Sequence, residues 1–213
     1  MAVKVAVLVV MVVVLSGICI SAALKRKGKV NQEEASRNAR SLSLAFYTFK
    51  EDYGSYPCEE TAIEVRNNTE TTAKLGKVSS NDFCRQLIAS GMVDQEPPFY
   101  ARTLGSRKPD NVTTGDKLLE KGELGFAYVV SHAACKEKNF PLLLTPMVKG
   151  KLQFDYESAR KCFDGKVLVL MTDCSRHIHI VDKDGHVWIN GKDFFDPSQP
   201  YWHGIPPKVA WPE

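Results

Sequence analysis

The chain lacks the excess of basic residues that marks a nucleic-acid-binding protein. Its 28 lysines and arginines face 25 aspartates and glutamates, which leaves a formal net charge of only +3. Four of the basic residues stand together in Lys25-Arg26-Lys27-Gly28-Lys29, so the rest of the chain is close to neutral. The sequence also has no basic stripe interleaved with aromatic residues. We therefore exclude nucleic acid as a partner.

The sequence also lacks the short motifs of the common enzyme classes. It contains no P-loop, no G-x-S-x-G and no H-E-x-x-H. The acidic pairs Glu33-Glu34 and Glu59-Glu60 fall in polar segments, where solvated carboxylates are expected. We predict a protein that is not an enzyme and has no cofactor.

Cysteine is present, but never in a spacing that predicts a metal site. None of the six cysteines is part of a CxxC pair, and no cysteine–histidine spacing matches a zinc finger. Five scattered cysteines follow the first apolar segment, which favours an oxidising compartment and one or two disulfides. Their pairing stays open. The alternative is that several are small buried residues with free thiols.

The longest apolar run covers residues 5–24 and contains no charged residue. Twenty residues of helix span about 30 Å, the thickness of the hydrocarbon core of a bilayer. A cleaved signal peptide is an alternative, with Lys4 before the run and small residues at Ser21-Ala22-Ala23. A lipid anchor at Cys19 is disfavoured by the bulky Ile18 before it. We predict a retained membrane anchor over residues 1–28.

The membrane orientation is indicated in two conflicting ways. Lysine and arginine are more frequent after the apolar run than before it, which by itself predicts that the following part is cytoplasmic. The scattered cysteines favour the opposite side.

The segment after the anchor, residues 29–57, has helical periodicity. Its apolar residues are spaced 4, 3, 4, 3 and 4 apart, which places them on one side of a helix. Gly54 and Pro57 predict that this helix ends near residue 53. We expect the stripe to be covered by the rest of the protein. Its residues are Ala35, Ala39, Leu42, Phe46, Phe49 and Tyr53.

The remaining residues, 58–213, predict one globular α+β head. Residues 59–80 look like a loop, and short helices are expected over 82–90 and 116–121. Strands are predicted at 126–130, 142–145, 167–172, 177–181 and 186–189. Short turns between the last three strands predict an antiparallel meander, and the proline-rich tail 197–212 an irregular cover. Helices followed by strands favour an antiparallel sheet with helices on one face.

The helical segment also carries a family resemblance. Asn38-Ala39-Arg40-Ser41-Leu42 leads through Leu44-Ala45-Phe46-Tyr47 to Tyr53-Gly54-Ser55-Tyr56-Pro57. This stretch resembles the point at which the N-terminal helices of bacterial type IV pilins and type II secretion pseudopilins run into their heads. The hairpin expected over residues 167–180 is a weaker likeness. The resemblance covers residues 1–57 well and the rest as architecture alone.

The resemblance implies a pilin-like fold and a structural or assembly subunit of a pilus or secretion-type complex. It implies a single-pass protein of the bacterial inner membrane, with its head on the periplasmic or extracellular side. Its partners would be the membrane and other pilin-like subunits or envelope proteins. The chain departs from the family after Gly17, where Ile18-Cys19-Ile20-Ser21-Ala22 contains neither the expected Phe nor the expected Glu. That departure puts incorporation into a filament by the usual route in question.

Two alternatives to assembly remain open. In the first, the head is a non-polymerising binding module whose aromatic residues hold a glycan or a protein partner; the candidates are Tyr100, Tyr201, Trp202 and Trp211. In the second, His177 and His179 form a metal or catalytic site with Asp173 and Cys174, because residues two apart on a strand share a face. The acidic run Asp182-Lys183-Asp184-Gly185 is interpreted as a tight turn rather than a calcium loop, because it lacks the later glutamate.

Overall fold

The computed structural model describes residues 2–130 and 139–213, and for residues 2–10 and 12–21 it describes only the helical backbone. The helices are α1 (Ala2–Tyr53), α2 (Glu59–Thr69), α3 (Ser80–Ala89) and α4 (Tyr156–Cys162). The strands are β1 (Ala127–Val129), β2 (Pro141–Thr145), β3 (Lys166–Met171), β4 (Arg176–Ile180), β5 (Trp188–Ile189), β6 (Lys192–Asp193) and β7 (Val209–Ala210). The chain is therefore α+β, with a long N-terminal helix and an antiparallel sheet.

Helix α1 runs for 52 residues without a proline, about 78 Å at 1.5 Å per residue. It ends where predicted, because Gly54 adopts a φ of 74°, a left-handed conformation that stops a helix. Within the part of the chain whose side chains are described, no helix is long and apolar enough to span a membrane. Most side chains of the anchor predicted over residues 1–28 are not among those that the structure describes.

Five strands form one sheet in the order β4-β3-β2-β1-β7, and every pair in it is antiparallel. The strands predicted at 126–130, 142–145, 167–172 and 177–181 are confirmed as β1 to β4. Strand β7 was not foreseen, because the tail around it has no strand-like alternation. It pairs with β1 through Tyr128 and Val129, so part of the tail extends the sheet.

The predicted meander is correct for β3 and β4 but wrong for the next strand. Residues 186–189 do not continue from β4; instead β5 pairs with β6 in a separate two-stranded sheet. The cause is the Asp182 side chain, which accepts hydrogen bonds from the amides of Asp184 and His186. These bonds close a turn that directs the chain away from the edge of β4.

Two further predictions about the head need correction, and one helix was not predicted. Residues 59–80 were expected to be a loop, but α2 forms there and begins where the Thr61 hydroxyl accepts a bond from the Cys58 amide. The helix expected over 116–121 is only a 3-10 turn (Gly115–Lys117), because Leu119 takes a positive φ of 46°. Helix α4 was missed, and it is capped by the Asp155 side chain. The helix expected over 82–90 is confirmed as α3.

The sheet separates two apolar cores. On one side, Tyr128, Leu168 and Leu170 pack with α1, α2 and α3. On the other side, Val167 and Val169 pack with aromatic residues from the segment after β4 and from the tail. Alternate residues of β3 thus enter opposite cores, as the pleat of a strand requires. We call these two regions the helix side and the aromatic side of the sheet.

Candidate functional site

The predicted packing stripe of α1 lies on the helix side of the sheet. Five of its residues are fully buried, and Tyr53, at its C-terminal end, is half-buried against the same core. The fully buried residues are Ala35, Ala39, Leu42, Phe46 and Phe49. Their neighbours Leu44 and Tyr47 point outward, with 67% and 50% of their surface exposed. Helical periodicity therefore divides α1 into a covered and an open face.

An aromatic cluster joins α1 to the sheet. The ring of Phe46 stacks on that of Tyr128 of β1, with centroids 5.6 Å apart and planes inclined by 9°. Phe83 of α3 packs on the same tyrosine ring at 5.4 Å. The Tyr128 hydroxyl donates to the carbonyl of Pro57 at 2.9 Å, and burial raises its pKa well above the ordinary value. One buried tyrosine thus joins helix, sheet and the segment that follows α1.

The contact between α1 and the head begins at Gly28. A Cβ placed on Gly28 would come within 2.9 Å of the backbone nitrogen of Asp164, so only glycine permits this approach. One turn later the Asn31 side chain donates to the carbonyl of Cys162 at 3.0 Å, a buried bond. Residues 22–27 are all exposed. Helix α1 therefore extends beyond the head on the N-terminal side of Gly28.

The histidine constellation does not assemble into a metal site or a catalytic triad. His177 and His179 are stacked with centroids 6.1 Å apart, and the His177 ring pairs with the Ser175 hydroxyl at 3.1 Å. The Asp173 carboxylate accepts from the Ser175 amide and from Asn139, and its bonds from Ser175 lower its pKa although burial raises it. It therefore holds the turn and does not orient a histidine.

Burial lowers the pKa of His179, and the positive charge of His177 adds to that effect. His179 is thus held on the aromatic side in its neutral form more readily than a histidine in water. Among the described residues, the only group of acids, histidines or cysteines close enough to share a metal ion lies elsewhere and contains neither histidine.

The acidic run at residues 182–185 forms a closed turn, as predicted. Its amides are held by the Asp182 carboxylate, whose second oxygen accepts from the Trp188 indole at 2.8 Å. Bonds from the His186 amide and from Trp188 lower the pKa of Asp182. The oxygens that calcium would need are therefore already occupied by donors within the turn.

The four aromatic residues proposed as a glycan surface do not form one exposed platform. Trp202 is fully buried on the aromatic side and donates from its indole to the carbonyl of Phe194 at 2.6 Å. Tyr100 is also buried, and Tyr201 and Trp211 are half-buried. Tyr201 donates to the same Phe194 carbonyl at 2.9 Å. These bonds give Trp202 and Tyr201 a structural role, and the interpretation of the fully buried Trp202 as a ligand contact is wrong.

A buried carboxylate group was missed by the sequence reasoning. Glu96 and Glu123 are fully buried, and oxygens of both lie within 4.8 Å of Asp110. Burial raises the pKa of Glu96 more than the amide of Leu119 lowers it. The signal available was position: Glu96 directly precedes two prolines, and Glu123 interrupts a glycine-rich apolar stretch.

Backbone amides use most of the oxygens in this group. Glu96 accepts from the amides of Leu119 and Asn111, at 2.6 and 2.8 Å. Glu123 accepts from the amide of Glu120 at 2.7 Å and lies 3.3 Å from the Arg107 guanidinium. Carboxylates are the ligands that hard cations prefer, but here their oxygens accept hydrogen bonds from backbone amides of the loop. We interpret the group as an internal brace of residues 96–123, because all of these partners lie within that segment.

The described cysteines, Cys58, Cys84, Cys162 and Cys174, carry free thiols. No disulfide joins any two of them, so the prediction of disulfides is wrong for these four residues. Cys84 is completely buried on the helix side, and burial raises the pKa of its thiol. It fills space as an apolar residue does. Cys19 and Cys135 lie outside the described side chains.

The chain was also compared with known proteins. No model of a protein family, no curated protein and no solved structure matches it.

Proposed function

We propose that this protein is a membrane-anchored, pilin-like subunit of the bacterial cell envelope, with a structural or assembly role in a pilus or secretion-type complex. The observation that carries the proposal is the division of α1 at Gly28. After this point the helix is buried along one stripe, and before it residues 22–27 are exposed and lead back to the uncharged run of residues 5–24. The first part of such a helix can serve as a membrane anchor, and its second part is the amphipathic helix on which the head packs.

The open edge of the sheet supports an assembly role. Strand β4 lies at one end of the sheet and pairs, within the described chain, only with β3. Two of its residues, Ile178 and Ile180, are 48% and 76% exposed. They are on the helix side, because residues two apart on a strand share a face and Arg176, which donates to Ser36 of α1 at 2.8 Å, lies on that side. Together with Leu44 and Tyr47 they give the flank of α1 an exposed apolar character suited to another subunit.

The anchor is tested first, by locating the full chain in isolated membranes and sequencing its mature N-terminus. We expect the protein to resist carbonate extraction and to retain residues 5–24. Recovery of a soluble form that lacks residues 1–28 would contradict the anchor and favour signal cleavage.

The assembly role is tested by photo-crosslinking in those membranes. A benzoylphenylalanine in place of Ile180 is expected to give crosslinked species larger than the monomer. The same probe at Val78, which is 80% exposed at a different place on the head, is the matched control. Monomer alone from both positions would contradict an assembly through the β4 edge.

A second candidate function is a non-polymerising anchored module that binds an envelope partner. The sequence after Gly17 favours it, because the phenylalanine and glutamate of the resembling family are missing there. A crosslink from Ile180 to a different protein, with no product containing two copies of this chain, would decide for this candidate.

A further inference from the structure

A cavity of about 460 Å³ opens beside the point where α1 leaves the head. Its lining brings together basic residues that are far apart in the sequence: Lys27, Arg102, Lys108 and Lys161. The described lining contains no acidic residue. Because like charges repel, such a convergence costs free energy unless an anion is present.

Three of these cations are not compensated by the protein. Lys161 lies 3.2 Å from the Glu157 carboxylate. Lys27, Arg102 and Lys108 are exposed and form no ion pair with a described acidic residue. The carboxylate of the nearby Asp164 lies 3.8 Å from the ammonium group of Lys166, with which it forms an ion pair. The cavity therefore has a net positive charge.

The wall of the cavity is held in place by the fold. The turn between Thr103 and Ser106 is closed by bonds in both directions between these two residues, at 2.9 and 3.0 Å. The amide of Leu104 also donates to the Ser158 hydroxyl of α4. On the opposite wall, Asn31 fixes α1 to Cys162. The backbone segments that carry these cations are thus tied to one another by hydrogen bonds, which reduces the backbone entropy lost on binding.

Two of the charges act on the Cys162 thiol, which also lines the cavity. Burial raises the pKa of the Cys162 thiol, and the positive charges of Arg102 and Lys27 oppose that rise. The helix cluster Lys25-Arg26-Lys27-Gly28-Lys29 adds further exposed cations at the same end of the head. A positive surface therefore surrounds the emerging helix.

We propose that this cavity binds the phosphate of an anionic phospholipid headgroup. The proposal rests on the anchoring of α1 in a membrane. If residues 5–24 lie in the bilayer, Lys27 follows the end of the hydrocarbon region by about one turn, and the cavity faces the headgroups. Guanidinium and ammonium groups are the side chains that bind phosphate, and Arg102 can do so in bidentate fashion. A free phosphate has the same chemistry, but the position of the cavity favours the lipid.

The test uses the full chain in neutral detergent micelles, titrated with phosphatidylglycerol or with phosphatidylcholine. The apparent Kd is taken from the rise of Tm with lipid concentration. We expect phosphatidylglycerol to bind more tightly, and the double variant Arg102→Gln/Lys108→Gln to weaken its binding by roughly 10- to 30-fold. The double variant Lys149→Gln/Lys183→Gln, which removes two exposed lysines elsewhere, is expected to bind like the wild type.

Equal affinity for the two lipids would overturn the proposal, as would an equal loss in both double variants. A third arm adds inorganic phosphate alone. If it stabilises the protein as strongly as phosphatidylglycerol and loses this effect in Arg102→Gln/Lys108→Gln, the cavity binds a free anion and not a lipid. Failure of the anchor appears separately, because carbonate extraction of membranes reports on residues 5–24 and micelle titration on the cavity.

Discussion

The two sides of the sheet are covered by very different means. On the helix side one long helix presents a regular stripe, and the stacked pair of Phe46 and Tyr128 is its centre. On the aromatic side the cover has little regular structure; Phe194, Phe195, Tyr201 and Trp202 pack on one another with centroids 4.9 to 6.3 Å apart. Both covers bury large side chains completely.

This difference shows two ways to specify a core. On the helix side the backbone bonds are satisfied within the helix, so the side chains need only the right spacing. On the aromatic side each buried carbonyl and each buried indole N–H needs a separate hydrogen-bond partner. Trp202 and Tyr201, for example, both donate to the Phe194 carbonyl. We therefore expect the helix side to depend on volume and the aromatic side to depend on specific bonds as well.

The largest effect is expected from Phe46→Ala on the helix side. The change removes a fully buried ring and leaves a cavity against Tyr128, so the free energy of unfolding should fall by about 3–5 kcal/mol. The exposed neighbour Tyr47 is the matched control, and Tyr47→Ala should change it by less than about 0.5 kcal/mol. Urea unfolding of the full chain in neutral detergent measures both. Similar losses in the two variants would show that α1 is not packed by its stripe.

A smaller loss is expected from Trp202→Phe on the aromatic side. The substitution keeps a ring but removes the indole donor to Phe194, and we expect a loss of about 2 kcal/mol. Tyr201→Phe removes the other donor to the same carbonyl and should cost about 1 kcal/mol. If Trp202→Phe costs no more than Tyr201→Phe, the bond accounts for the whole effect and the shape of the indole for none of it.

Gly28→Ala sharpens the comparison at the point where α1 meets the head. Alanine favours a helix by about 1 kcal/mol over glycine. The new Cβ, however, would meet the Asp164 backbone, where overpacking costs about 1–3 kcal/mol. We expect a net loss of about 1 kcal/mol, measured by the same unfolding experiment. Lys29→Ala, at the exposed next position, is the control, and a gain of stability in Gly28→Ala would contradict the close contact.

The smallest effect is a dependence on pH confined to the aromatic side. The pKa of His179 is lowered in the folded protein, so the unfolded chain binds its proton more readily. The stabilisation that depends on neutral His179 is then fully present above about pH 6.5. It is lost as the pH falls from there through the pKa of His179 in the folded protein. His179→Gln should remove this part of the loss between pH 7.5 and 5.5, and His203→Gln should not. An unchanged pH profile in His179→Gln would contradict the assignment.

The same comparison explains which parts of the structure could be predicted. The helix from Ala35 to Tyr53 and the strands β1 to β4 are marked by periodicity, which is local information. Helix α2 was missed because its cap is a Cys58–Thr61 pair rather than a usual capping residue. The Glu96 carboxylate accepts from amides that a long loop brings back to it, and no local sequence pattern predicts such a contact. The position of Glu123 in this group is likewise not predicted by a local pattern. The cavity beside Lys27 depends on residues more than 130 positions apart.

The continuity of α1 has a mechanical consequence. Helices bend sharply at prolines, glycine–serine pairs or bulges. Ser16-Gly17 is such a pair, but from Leu24 to Tyr53 the helix contains neither a proline nor a glycine–serine pair. Gly28, where a flexible joint would be expected, is pressed against Asp164, and Asn31 secures the next turn to Cys162. A tilt or pull applied to the exposed end of the helix is thus transmitted to the sheet through the rings of Phe46 and Tyr128. We therefore expect the head and residues 22–53 of the helix to move together as one rigid body.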